Sequence, residues 1–274
     1  MQNIRQILID EIDRTLPDKE CAVLLSGGVD SLSVSFAANE LGKTITGYSF
    51  YLSGSPSYDY LTADRACDIM GWNFVGIEVP IDDLIADFHR LVELGCEKKT
   101  HYECVFPFLY VYPAIKEQYV LSGWGADGYY GLSKKAQINY KHTKEKFDEF
   151  RKDYFLPENC AGYKWHKIVV DKHNKHFITP YLCQGVSDFF FSFDWYEVNR
   201  PTEKHHIRSA FAEEFARLDK IKNHANLQLV AGIPTLFETL LSNEDINFRK
   251  RTRMMDVYKD WFEKNQQGSL EEFM

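Results

Sequence analysis

Ser26-Gly27-Gly28-Val29-Asp30-Ser31 follows directly on the apolar run Cys21-Ala22-Val23-Leu24-Leu25 and leads into a segment of helical character. A buried strand that turns through two glycines into a helix makes an anion site. The glycines allow φ > 0 and a close backbone approach, and the first helical turn offers unpaired N–H groups. Ser26 and Ser31 add hydroxyl donors. Asp30 in their midst repels a phosphate unless a cation stands between them, so the stretch reads as a magnesium–nucleotide site. No Gly-Lys-Ser/Thr follows, and the order therefore differs from the Walker loop. The plain alternative is a strand-to-helix turn of small residues.

Working outward, Ile4, Ile7, Leu8, Ile12 and Leu16 fall at helical spacing upstream, and Pro17 ends that helix. Downstream, a helix runs from Ser31 to Leu41 and stops at Gly42. Thr44–Phe50 reads as a strand, Gly54–Ser57 as a loop, Tyr58–Met70 as a helix and Asn73–Val79 as a third strand. A helix over Asp82–Leu94 and an aromatic helical stretch over His101–Glu117 lead to the strand Tyr119–Ser122. Strands and helices alternating at this rhythm predict an α/β fold, a parallel sheet with helices on both faces. Ligands bind such sheets at the C-terminal ends of the strands. Ser26–Ser31, Phe50–Ser57 and Gly123–Gly131 are then the candidate loops.

Past residue 132 the character changes. Lys134–Lys152 is charged and helical, Lys164–Phe177 with Ile168-Val169-Val170 reads as a hairpin, and the pattern from His205 onward is helical. The expected organisation is a nucleotide-binding α/β core over 1–132. A mostly α-helical C-terminal half over 133–274 completes the site, the two forming one compact unit.

Of the 274 residues 45% are hydrophobic and 26% charged, which suits a folded globular chain and excludes a disordered one. A net charge of −8 disfavours bulk binding to nucleic acid or anionic membranes. The N-terminus lacks the apolar core of a signal peptide, and the apolar run Val105–Ile115 is too short to span a bilayer. Six cysteines without a CxxC pair point to free thiols in a reducing cytoplasm.

A second glycine-rich motif, Ser122-Gly123-Trp124-Gly125-Ala126-Asp127-Gly128-Tyr129-Tyr130-Gly131, follows the fourth strand. Asp127 supplies a second carboxylate, and one Asp at each of two neighbouring strand ends is what a magnesium ion bridging ATP phosphates needs.

Together the two motifs resemble the synthetase domain of asparagine synthetase and its relatives such as β-lactam synthetase, ATP pyrophosphatases of the PP-loop type with an adenine nucleotide alpha hydrolase-like fold. Ser26–Ser31 is similar to the SGGxDS loop, and Tyr48–Asp59 with Ala63 and Ala66 to the second strand, loop and helix. Ser122–Gly131 resembles the S-G-x-G-A-D-x-x-x-G motif, Ile178–Leu182 the T-P-F-L stretch, and Lys204 with Arg208 the K-x-x-x-R motif. The resemblance implies that Ser26, Gly27, Gly28 and Ser31 hold the pyrophosphate part of ATP. Asp30 and Asp127 would ligate Mg2+, and Leu24, Phe50, Ser122 and Gly123 line the adenosine pocket. Lys204 would neutralise charge at the α-phosphate, so Lys204 and Asp127 are the implied catalytic residues. The implied reaction adenylates a carboxylate with release of pyrophosphate, after which an amine or ammonia displaces AMP.

Three departures fall on the acceptor side. Trp124 stands where asparagine synthetases carry Glu and β-lactam synthetase Tyr. Gly128 replaces an acidic residue, and Cys183 replaces the Asp after T-P-F-L. Trp124 and Tyr129 are candidate substrate contacts, with core packing the alternative for Tyr129. Position two is Gln2, not the Cys nucleophile of a glutaminase domain, so this chain is not expected to make ammonia from glutamine, and a separate amidase is left open as a partner. The partners expected are a small carboxylate and an amine or ammonia, with no membrane, no nucleic acid, and a homo-oligomer open. Two other readings share these residues: a PP-loop enzyme modifying a nucleotide or tRNA base, and a nucleotide-binding relative without catalysis.

His173, His176, His205 and His206 are expected at the surface, and Phe189–Phe193 in the core or on a partner-facing helix. Arg249, Lys250, Arg251 and Arg253 form the dense basic run, read as a solvated helix face.

Overall fold

Strand β1 is Glu20–Leu24, with Cys21, Ala22 and Val23 wholly buried. A central parallel strand is covered on both faces, hence the unbroken apolar run. Its ordered pairing continues one step further, because the Leu25 N–H donates to the Tyr48 carbonyl at 2.9 Å. In this computed structural model, which describes residues 3–97, 99–156, 159, 162–218, 230–236 and 263, β1 pairs in parallel with β2 (Thr44–Leu52) and with β4 (Tyr119–Ser122). Strand β3 (Asn73–Val79) lies outside β2, and β5 (His176–Ile178) outside β4. The order β3-β2-β1-β4-β5 reverses direction between β1 and β4, which opens a crevice at their C-terminal ends.

Helices cover both faces, as the alternation predicts. Val23 and Leu121 belong to one apolar core, and the adjacent residues Ala22 and Val120 to the other. The first core gathers α1 (Ile4–Thr15), α2 (Val29–Glu40) and α3 (Tyr58–Met70). The second gathers α4 (Leu84–Glu93), α5 (Lys99–Val105) and α6 (Phe108–Ala114). Asn3 caps α1 by accepting the Arg5 N–H at 3.0 Å, and Ile4, Ile7, Leu8 and Ile12 bury its inner stripe. Helix α2 is buried almost all round, Ser33 and Ser35 included. Their hydroxyls return to the Asp30 and Ser31 carbonyls at 2.8 and 2.9 Å, so no polar atom is stranded there. Phe36 of α2 meets Trp72, Phe211 and Phe215 at 5.9, 5.8 and 5.1 Å between ring centroids, which ties the second half onto the first.

The remaining helices are α7 (Ala126–Tyr130), α8 (Lys134–Asn139), α9 (Lys144–Tyr154), α10 (Tyr163–Lys172), α11 (Gln184–Phe191), α12 (Trp195–Asn199), α13 (His205–Ala210) and α14 (Ala212–Arg217). Two expectations are corrected here. Residues 164–177 form no hairpin: α10 carries Ile168, Val169 and Val170 because Trp165, Val169 and Val170 all bury on one helical face. The strand that follows is β5, so the sheet takes its edge strand from beyond residue 132. His206 is half-buried and not fully exposed, its ring lying against Phe193 at 4.2 Å and Phe189 at 5.5 Å. His176 is exposed, and His173 and His205 are half-buried. Phe190 is buried and packs on Tyr129 and Tyr130, the core alternative for that aromatic block. Cys21, Cys67, Cys96 and Cys183 carry free thiols. No helix among the described residues is long and apolar enough to cross a membrane. The basic run 249–253 lies outside the described residues.

Candidate active site

The loop after β1 is held by its own hydroxyls. The Gly28 N–H donates to Ser26 Oγ at 3.3 Å, and Ser31 Oγ donates to the Gly28 carbonyl at 3.1 Å and lies 3.3 Å from Ser26 Oγ. Gly27 has φ +69°, and a Cβ there would come within 2.5 Å of the Thr62 methyl, so only glycine suits the turn. Helix α2 begins at Val29, immediately after the loop. The loop after β4 lies directly against it: a Cβ on Gly123 would fall 2.6 Å from the Asp30 carbonyl carbon. The two candidate motifs are thus in backbone contact, side by side at the crevice.

Lys204 comes to this point from the far end of the described chain. It precedes α13 in a left-handed conformation, φ 59°, and is 5% exposed. Its Nζ donates to Asp30 Oδ2 and to Asp127 Oδ1, the latter at 2.9 Å, and sits 5.0 Å above the Tyr130 ring. Burial pushes the ammonium pKa down, but the Asp30 and Asp127 carboxylates outweigh it and hold the pKa above its ordinary value. Lys204 is therefore a fixed positive charge at neutral pH, unsuited to act as a base. Arg208, one turn along α13, is half-buried and donates its Nε to the Glu203 carbonyl at 3.1 Å.

Beside these charges a cavity of about 210 Å³ is lined by Leu24, Ser26, Phe50, Ser122, Gly123 and Trp124, together with Asp30 and Ser31. The four residues expected around adenosine thus share one cavity with the phosphate loop. Further lining residues that sequence reasoning missed are Tyr48, Cys104, Phe108, Val111, His166 and Phe177. Helical spacing held a signal for one of them, since His166 lies beside Trp165 and four residues after Gly162, on the stripe that buries α10. Burial lowers the His166 pKa to about 4, and its Nδ1 lies 2.8 Å from the Tyr112 hydroxyl.

Tyr129 does not line this cavity and packs in the core, the alternative weighed for it. Its ring stacks on Phe190 at 4.9 Å, and its hydroxyl donates to the Tyr181 carbonyl at 3.0 Å. Gly128 is buried against Tyr154, whose ring would lie 2.4 Å from any Cβ there, so packing leaves no room for an acidic side chain. Cys183 caps α11 and lines a separate groove with Glu11 and Arg14 of α1.

Among the described residues no group of three or more His, Cys, Asp and Glu could by itself hold a metal ion. Two carboxylates that converge on one cation do suit a magnesium ion, which takes its other ligands from phosphate oxygens and water. The glycine turns, hydroxyls and helix start likewise suit a polyphosphate.

A family model described as asparagine synthase matches residues 3–179. No curated protein matches the chain. Among solved structures, NMN synthetase from Francisella tularensis is 16% identical with a TM-score of 0.38, covering 81% of this chain and 97% of that one. The NH3-dependent NAD synthetase from Campylobacter jejuni subsp. jejuni NCTC 11168, in complex with the nitrate ion, is 16% identical with a TM-score of 0.32, covering 81% and 98%. A predicted subunit of tRNA methyltransferase from Methanocaldococcus jannaschii DSM is 13% identical with a TM-score of 0.34, covering 74% and 93%. The family match takes in the loop after β1, the loop after β4 and the five strands found among the described residues, and the chain belongs to the asparagine synthase family of ATP-using synthetases.

Proposed function

We propose that the chain is an AMP-forming carbon–nitrogen ligase, which adenylates a substrate carboxylate and passes the acyl group to an amine or ammonia. One observation carries this reading. Lys204 reaches 174 residues back along the chain to place one buried ammonium against Asp30 and Asp127, at the ends of adjacent strands.

In the first half-reaction the carboxylate oxygen bonds to the α-phosphorus of ATP, and the bond to pyrophosphate breaks. In the second, the amine attacks the acyl carbon, the acyl–oxygen bond breaks, AMP leaves and the amine gives up a proton. Ser26, Gly27, Gly28 and Ser31 would hold the departing pyrophosphate through N–H and O–H donors. Leu24, Phe50, Ser122 and Gly123 would seat the nucleoside. Asp30 and Asp127 would hold magnesium, which supplies charge neutralisation between phosphate oxygens when bound. Lys204 stays protonated and offsets negative charge at the α-phosphate without a proton transfer. Such transfers depend mainly on positioning and electrostatic stabilisation, which this set of groups supplies.

Incubation with ATP, Mg2+ and a panel of carboxylates and amines tests the proposal. AMP and pyrophosphate are expected in equal amounts with a productive pair, and Asp30→Ala abolishes them. If neither product forms with any pair and Asp30→Ala changes nothing, the reading fails.

A further inference from the structure

The cavity changes character along its length. It crosses the strand ends from β2, where Phe50 lines it, to β5, where Phe177 does. Phe108 stands between the two ends, edge-on to Phe50 at 5.7 Å and to His166 at 4.5 Å. From His166 the rings continue without a break. His166 stacks on Phe177 at 6.0 Å and 18°, Phe177 meets Tyr163 at 6.0 Å, and Tyr163 meets Trp124 at 5.0 Å. Trp124 and Phe177 line the cavity and are half-buried, so part of each ring remains open to a ligand, and Tyr163 packs against both. The Trp124 N–H donates to Ser122 Oγ at 3.2 Å, which fixes the indole's loop where it leaves β4. The same loop carries Asp127, so this run of rings lies beside the charged centre.

Charge is the second observation. Among the described residues that line the cavity, Asp30 alone carries a charged side chain, and it belongs to the loop after β1. His166 is neutral, with Nδ1 engaged by Tyr112. An ammonium or a second carboxylate placed at the β5 end would lose its hydration with no charged partner among the described lining residues there. A flat ring placed there would stack on rings already held in position.

We propose that the β5 end of the cavity binds an aromatic ring borne by the carboxylate substrate, so that the acid activated is an aromatic monocarboxylate and not a charged amino acid. This rests on the reading of the site as a carboxylate-activating one, with the nucleoside at the β2 end. Trp124 is then a specificity-determining residue, and Tyr163, packed against it, a positioning one.

The test measures binding and chemistry separately. Calorimetric titration with phenylacetate, indole-3-acetate and aspartate, each in the presence of Mg2+ and a non-hydrolysable ATP analogue, reads the ring site. The aromatic acids should bind, aspartate should bind about tenfold more weakly or not at all, and Trp124→Ala should weaken the aromatic acids by about tenfold. Tyr163→Leu, which keeps the indole, should act in the same direction. Affinity for the ATP analogue alone should stay close to the wild-type value in both variants. The inference is overturned if aspartate binds as well as the aromatic acids, or if no aromatic acid binds. It is also overturned if Trp124→Ala weakens the ATP analogue and spares the acids, because the rings then belong to the nucleotide. Pyrophosphate exchange on the same samples separates the two ideas. Aromatic acids that bind in this pattern without exchange leave the ring site standing and remove the adenylation reading. Exchange with aspartate alone does the reverse.

Discussion

Lys204 and Arg151 are both cations cut off from water, and the fold treats them in opposite ways. Arg151, a residue of α9, is fully buried. Its guanidinium donates to the Phe190 and Phe193 carbonyls at 2.6 and 2.9 Å and to the Asp148 carboxylate, with its plane 4.1 Å from the Phe147 centroid and 4.7 Å from that of Phe191. Burial pulls its pKa down, and the Asp148 carboxylate only partly restores it. The Lys204 pKa is instead raised, by carboxylates brought from two strand ends. Asp127 keeps 51% of its side chain exposed, so a solute can reach the Lys204 cluster. The Arg151 guanidinium itself keeps no exposed side, and it joins α9 to the chain around α11. Burial of a charge is thus uninformative by itself; the supply of partners and the open side distinguish a seam from a site.

The contrast can be broken in order of expected effect. Arg151→Met leaves the Phe190 and Phe193 carbonyls without their donor and should lower unfolding stability by about 3–5 kcal/mol in urea titrations. A loss below about 1 kcal/mol would place Arg151 with ordinary surface pairs. Lys204→Ala should slow AMP formation about 10²–10³-fold, equivalent to about 2.7–4 kcal/mol in the barrier. Its urea midpoint should move less than that of Arg151→Met, because Asp127 can turn to water. If stability falls as far as in Arg151→Met and the rate does not change, Lys204 is a seam as well.

The third effect concerns the neutral imidazole in the cavity. The His166 pKa is about 4 in the folded chain, below its ordinary value, so the unfolded chain takes up the proton first as the solution acidifies. Its contribution to stability is complete above about pH 6.5 and is lost as pH falls toward 4, to a total of about 3 kcal/mol. Urea titrations across that window should show a flatter acid limb for His166→Gln than for the wild type. The smallest effect is structural. Tyr181→Phe removes the 2.7 Å hydrogen bond to Ser33 on α2 and should cost about 1 kcal/mol, read as a shift in the urea midpoint without a change in slope.

The parts of this arrangement that were legible in the sequence are those with a local physical cause. Ser26–Ser31 and Ser122–Gly131 announce themselves because glycine and hydroxyl requirements act within a few residues, and β1 through the continuous apolar run. The five strands were less evenly readable. β5 has three residues, too few for a period, and Ile168-Val169-Val170 just upstream carries the β-branched signal that a strand would give. Burial against α6 settles that segment as helix, and burial is a tertiary fact. Tyr129 illustrates the same limit. It sits two residues from Asp127, yet α7 turns its ring into the core toward Phe190 while Asp127 faces Lys204. The aromatic run from Phe108 to Trp124 draws on α6, α10, β5 and the loop after β4, and no single stretch of sequence could have assembled it.

Helix α1, the first of the described elements, has a further consequence for how the chain is made. Its buried face packs on α2, and also on α11 and α13, which lie near the other end of the described residues. Ribosomes add roughly 5–20 residues per second. Ile4, Ile7, Leu8 and Ile12 therefore wait on the order of ten to forty seconds after synthesis before α11 and α13 emerge. An apolar stripe made well before two of the helices that cover it is a natural foothold for a chaperone on the nascent chain.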